Sequence, residues 1–114
     1  GPETDGGWQP ELQFGWRQKE KSLDAWAGER IRYLGGLPVG RVLSRTDAIV
    51  AGMAGIQFVY EFERGGGQPM REINFYFAGN GGIGFVRGVC TARTYDRYLP
   101  IYREAAARLR YSRQ

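Results

Sequence analysis

Histidine is absent from this 114-residue chain, and cysteine occurs once, at Cys90. Those two scarcities remove most catalytic inventories. A structural zinc site usually takes four Cys/His ligands. Ser-His-Asp and Cys-His catalysis need an imidazole. A lone cysteine cannot close an internal disulfide, and Cys90 lies in the apolar stretch Phe85-Val86-Arg87-Gly88-Val89-Cys90, where a small buried core residue is expected. No apolar run approaches the roughly 18–20 residues of a membrane-spanning helix. Lysine is scarce as well: Lys19 and Lys21 are the only two, and arginine supplies the other positive charges. The net charge of +4 raises the expectation of anionic partners. The positive residues are scattered, however, with no run of three. Only Arg103, Arg108, Arg110 and Arg113 cluster, where they also complement a helix C-terminus. Nucleic-acid binding is therefore disfavoured.

What is present suits one folded domain. At 42% hydrophobic and 14% aromatic, the chain is too apolar for disorder. Eighteen glycines point to tight turns between short elements. Residues 1–10 read as a flexible lead-in, with Gly1-Pro2 as the remnant of a cleaved tag. The segment has no charged n-region or apolar h-region of a signal peptide. Residues 11–114 then carry the fold.

Leu12, Phe14 and Trp16 alternate with polar residues, which predicts a short strand with those three on one face and Trp16 in the core. Ser22 can cap a helix in which Leu23, Trp26, Ala27, Ile31 and Leu34 form one stripe; Gly35-Gly36 ends it and Pro38 blocks resumption. Four strands follow. The weakest runs from Arg41 to Val50, with a turn at Gly52–Gly55. Ile56, Phe58, Tyr60 and Phe62 alternate clearly in the second. Gly65-Gly66-Gly67 closes a hairpin onto Arg71, Ile73, Phe75 and Phe77. Asn80-Gly81 closes another onto Ile83–Ala92, where Gly84 and Gly88 suggest a bulge or a helix packed close. Tyr95–Leu99 is expected to form one helical turn. A main helix then starts at Pro100, with Tyr98, Tyr102 and Leu109 facing inward. The predicted core centres on Phe58, Tyr60, Ile73, Phe75 and Phe85.

Few motifs carry chemistry. Gly79 to Gly84 matches G-x-G-x-x-G, but a strand follows where the dinucleotide fingerprint requires a helix. Gly65–Gly67 lacks the Lys-Ser/Thr of a phosphate loop. Glu61, Glu63 and Glu72 could gather on the non-core face of the first hairpin as an acid/base or cation site. Ion pairing with Arg64, Arg71 or Arg87 on a solvated face explains them more simply. Val59 and Tyr76 fall on that same nominal face. They form a partner-binding patch if the face is open, and core if the last helix covers it. Trp8, beside Pro10, is the better exposed anchor. Trp8, Val59 and Tyr76 are thus the candidate contact residues, and no catalytic, metal or cofactor residue is assigned.

The order strand, helix, four strands, helix resembles the Mog/PsbP-like fold. The residues that carry the likeness are Leu12–Trp16, Ser22–Leu34, Ile49-Val50-Ala51-Gly52-Met53-Ala54-Gly55-Ile56 and the closing segment Thr94–Ser112, which ends Leu109-Arg110-Tyr111-Ser112. Members usually begin with an extra hairpin, of which Trp8-Gln9-Pro10 alone could be a remnant here. That family includes photosystem extrinsic subunits, a Ran-binding factor, Eag-type secretion chaperones and bacterial lipoproteins, most of which act by binding. The resemblance implies an α+β domain with a five-stranded antiparallel sheet flanked by two helices. For function it implies a binding module and nothing narrower. Together with the missing catalytic inventory, it leads to the expectation of a non-enzymatic protein-interaction module of an exported or surface-associated bacterial protein, monomeric or homodimeric, working without a cofactor on a protein partner whose identity is not legible. The competing expectation is small-ligand or lipid binding in a pocket between sheet and helix, lined by Trp26, Tyr60 and Tyr98.

Overall fold

The computed structural model describes residues 10–18, 21–38, 40–79 and 81–109. The predicted contact residue Trp8 lies outside them. Five strands, β1 (Glu11–Gln18), β2 (Gly40–Val50), β3 (Met53–Arg64), β4 (Gln68–Gly79) and β5 (Gly82–Thr91), alternate with two helices, α1 (Leu23–Gly35) and α2 (Tyr95–Arg108). The strands form one antiparallel sheet in the order β1-β5-β4-β3-β2. The α+β class and the two flanking helices are therefore as the sequence predicts.

Local chemistry explains most boundaries. The Ser22 hydroxyl accepts a hydrogen bond from the Ala25 N–H at 3.1 Å and caps α1. The Arg45 guanidinium reaches Asp24 in the first turn at 3.0 Å and ties the helix start to β2. The β2–β3 turn is tighter than expected: Ala51 and Gly52 both take positive φ, and β3 is already paired from Met53. Two left-handed residues match the twist of a two-residue hairpin. Strand β2, the weakest in the sequence, is a full edge strand that absorbs its polar middle with a bulge between Val42 and Ser44.

Helix α2 runs unbroken through Pro100, where the sequence suggests a restart. Pro100 is exposed. The Asp96 carbonyl that it cannot satisfy can therefore be hydrated, and the ring does not disturb the packed side.

The two helices cover opposite faces of the sheet. Under α1 lie Ile56, Phe58, Tyr60, Tyr76 and Ile83, with Ala27 and Leu34 from the helix. Under α2 lie Val50, Val59, Ile73, Phe75, Phe77, Val86 and Cys90, with Tyr95, Tyr102 and Ala106. The single predicted core is thus two layers. Phe58 and Tyr60 belong to one, and Ile73 and Phe75 to the other. The cause is register. The three-residue loop Gly65–Gly67 closes on the pair Arg64↔Gln68, which sets Phe58 opposite Asn74 and Val59 opposite Ile73. Strand side chains have a period of two, so a one-residue change in that loop would exchange the faces.

Candidate functional site

The predicted sites resolve differently from the expectation. Val59 and Tyr76 do not share a face: Val59 is buried beneath α2, and Tyr76 is buried beneath α1. Neither stands in an exposed patch. The three glutamates do not gather either. Glu61 lies on the α2 side, where Arg71 donates to it from Nη2 at 2.6 Å and Nε at 3.1 Å. That pairing holds the Glu61 carboxyl below the usual range. Glu72 is buried on the α1 side, and Glu63 is exposed. Among the described residues no cluster of acids or cysteine could hold a metal ion. Cys90 is buried, as expected. Trp16 is not core: it is 44% exposed, with its indole N–H donating to the Gly79 carbonyl at 3.3 Å.

Two features remain as candidates. The first is strand β1. It is an outer strand of the sheet, and its apolar row on the α2 side is open: Leu12 is 37% exposed and Phe14 52%. Alternation alone put these residues on one face but could not show that α2 stops short of that edge. The two outer strands differ. Strand β2 carries a bulge and the charged residues Arg41, Arg45 and Asp47. Strand β1 pairs with β5 without interruption, and it has no proline and no charge in its apolar row. Bulges and charges are the usual protections of an outer strand; β1 has no bulge, and its charges, Glu11 and Arg17, lie on the face opposite the apolar row.

The second candidate is a cleft of about 610 Å³ on the α1 side, between α1 and β1. Trp26 and Arg30, one helical turn apart, form one wall, and Gln13 and Arg17 form the other. Tyr76, Phe85, Asn74 and Arg87 form the floor. Gly15, between Gln13 and Arg17, makes room: a Cβ there would lie 2.3 Å from the Phe85 ring. Arg87 donates from Nε to Glu72 at 2.6 Å and from Nη1 to Gln13 at 3.2 Å. Asn74 donates to the other Glu72 oxygen at 3.4 Å. Trp26 and Tyr76 meet edge to face with centroids 6.4 Å apart. The expected pocket lining is thus corrected in part. Trp26 lines this cleft. Tyr60 is buried on the same side outside the lining, and Tyr98 sits on α2 across the sheet.

Burial pushes the Tyr76 hydroxyl up to about 12 and raises Tyr60, Tyr95 and Tyr102 from the ordinary value of 10.0. A pKa raised in the folded state means stability that is complete below 10.0 and lost as pH climbs through the folded values. Phenolate absorbance from these four residues should therefore rise together with the loss of circular dichroism in alkali. Their full ionisation near 10 with the fold intact would contradict the packing.

No family model and no curated protein matches the sequence. The fold does have a solved counterpart. The crystal structure of PA94 from Pseudomonas aeruginosa, a protein of unknown function suggested to be a regulator, superposes with a TM-score of 0.73. The match covers 94% of this chain and 88% of that one at 12% sequence identity. At that identity the likeness establishes a shared fold and nothing about the site.

Proposed function

We propose that the protein is a non-enzymatic protein-interaction module, of the Mog/PsbP-like kind that its element order resembles, and that its docking element is strand β1. The observation that carries this reading is the uninterrupted, bulge-free outer strand with its open row of Leu12, Phe14 and Trp16. An extended segment added there would satisfy the outer backbone groups of β1 and extend the apolar row. On the opposite face of β1, Glu11 and Arg17 are exposed with opposite charges. The occupant is thus an extended partner segment that alternates apolar and polar residues. The family resemblance supports the reading further, because most of its members act by binding and the chain lacks histidine.

Selection from a displayed library of extended peptides tests it. Enriched peptides should alternate apolar and polar residues, and the β1 amides should gain hydrogen-exchange protection on binding. Leu12→Lys/Phe14→Lys should weaken binding by about a hundredfold, near 2.7 kcal/mol, with stability changed by less than about 1 kcal/mol because both side chains are exposed. Self-association lost in the same variant would identify a second copy as the occupant instead. Binding that is insensitive to the variant, or protection confined to other strands, would overturn the assignment.

A further inference from the structure

The cleft between α1 and β1 is separate from the apolar row of β1, which projects from the other face of the sheet. Its lining contains three arginines and no carboxylate. Arg87 is already taken by buried Glu72. Arg17 and Arg30 form no salt bridge among the described residues, so two positive charges face the cleft uncompensated. Most other arginines with a described ion pair, such as Arg45 with Asp24 and Arg71 with Glu61, are matched one to one or share a partner.

The charged groups of the cleft lining are all donors. The Tyr76 hydroxyl lies in the lining beside Arg30, and its burial keeps it protonated and able to donate through the physiological range. The amides add no convergent donor: Gln13 accepts from Arg87 and donates to Glu11, and Asn74 donates to Glu72. Beside the arginines stand the rings of Trp26, Tyr76 and Phe85. Most small-molecule sites are concave and mainly apolar, with a few convergent polar groups that set orientation. Guanidinium pairs select carboxylate or phosphate oxygens, and aromatic walls select a flat apolar body. The volume of about 610 Å³ suits a molecule of that size and not a bare ion.

We infer that this cleft is a binding site for a small aromatic anion, held at its carboxylate or phosphate by Arg17, Arg30 and the Tyr76 hydroxyl, with its ring against Trp26 and Phe85. The two readings share Arg17 of β1, but the apolar row of Leu12 and Phe14 that carries the docking reading lies across the sheet from the cleft.

Phenyl phosphate is the test probe, with benzoate, inorganic phosphate and benzyl alcohol beside it, followed by amide chemical shifts of the full chain. Phenyl phosphate should saturate shifts at residues 13–17, 74–76 and 85–87 with a Kd below about 1 mM. Inorganic phosphate should bind at least about tenfold more weakly, and benzyl alcohol should not saturate. Benzoate binding as well as phenyl phosphate assigns the site to carboxylates, and benzoate failing assigns it to phosphates. Arg30→Gln should weaken binding by about tenfold and Arg17→Gln/Arg30→Gln by about a hundredfold. Both side chains are exposed, so both variants should keep the wild-type melting temperature. Equal affinity for inorganic phosphate, shifts spread over arginines elsewhere, or unchanged binding in the double variant would overturn the inference.

Discussion

Gly88→Val is expected to lower the melting temperature by roughly 10 °C or more, equivalent to about 3 kcal/mol. Gly88 sits in β5 beneath α2, and a Cβ there would lie 2.4 Å from Cγ of Tyr102 and 2.5–2.6 Å from its two Cδ atoms. The ring has nowhere to go. Tyr102 is 2% exposed, donates its hydroxyl to the Val89 carbonyl at 3.0 Å, and stacks on Tyr98 with centroids 6.4 Å apart. Moving it would break that hydrogen bond and lift the middle of α2 from the sheet. Inserting bulk into a packed core costs about 1–3 kcal/mol even where neighbours can adjust, and here the neighbour is a rigid ring. Gly35→Ala is the matched control. Nothing lies within 4 Å of its added Cβ, so a neutral effect or a gain of about 0.5 kcal/mol is expected. Thermal melts of the two variants decide the matter, and a Gly88→Val protein as stable as wild type would mean that α2 does not seat on β5 as described.

Arg87→Met should cost about 2–3 kcal/mol, and the cause is the partner left behind. Glu72 is 5% exposed at its side chain and receives two nitrogens of Arg87 on one oxygen. Removing the arginine leaves a buried carboxylate with only the weak 3.4 Å bond from Asn74. Breaking a buried pair costs about 3–5 kcal/mol; the Arg87 side chain is 31% exposed, so water relieves part of that. Replacing both partners tells a different story. Glu72→Met/Arg87→Met removes the stranded charge, and it should recover most of the loss, because a buried ion pair often adds little over apolar residues of equal volume. Urea unfolding of the two single variants and the double variant measures this. Additive losses in the double variant would mean that the pair is not coupled.

The strands and helices were legible because their signals are local. Ser22 caps α1 as its hydroxyl chemistry requires, the glycine loops turn where the alternation stops, and Gly88 lies under a helix as an interior strand glycine suggests. Two local readings failed for reasons of exposure. Pro100 suits a helix start, but its ring is exposed and α2 runs through it. The phase of Trp16 with Leu12 and Phe14 is right and suggests core, but α2 leaves that edge uncovered.

The sites were less legible than the elements. Alternation says that Val59 and Tyr76 each point away from some neighbours, but not which face of β4 joins which face of β3. The closing pair of the Gly65–Gly67 loop decides that, and through it the separation of Glu61 from Glu72 and of Phe58 from Phe75. The cleft draws Arg17 from β1, Arg30 from α1 and Arg87 from β5, positions that no motif spacing links. Residue type and short-range period suffice for the secondary-structure order, the antiparallel sheet and the absence of histidine chemistry. The register, the two-layered core, the open row on β1 and the cationic cleft arise in the folded chain alone. These depend on which distant segments meet, and a period of two or 3.6 residues carries no record of that.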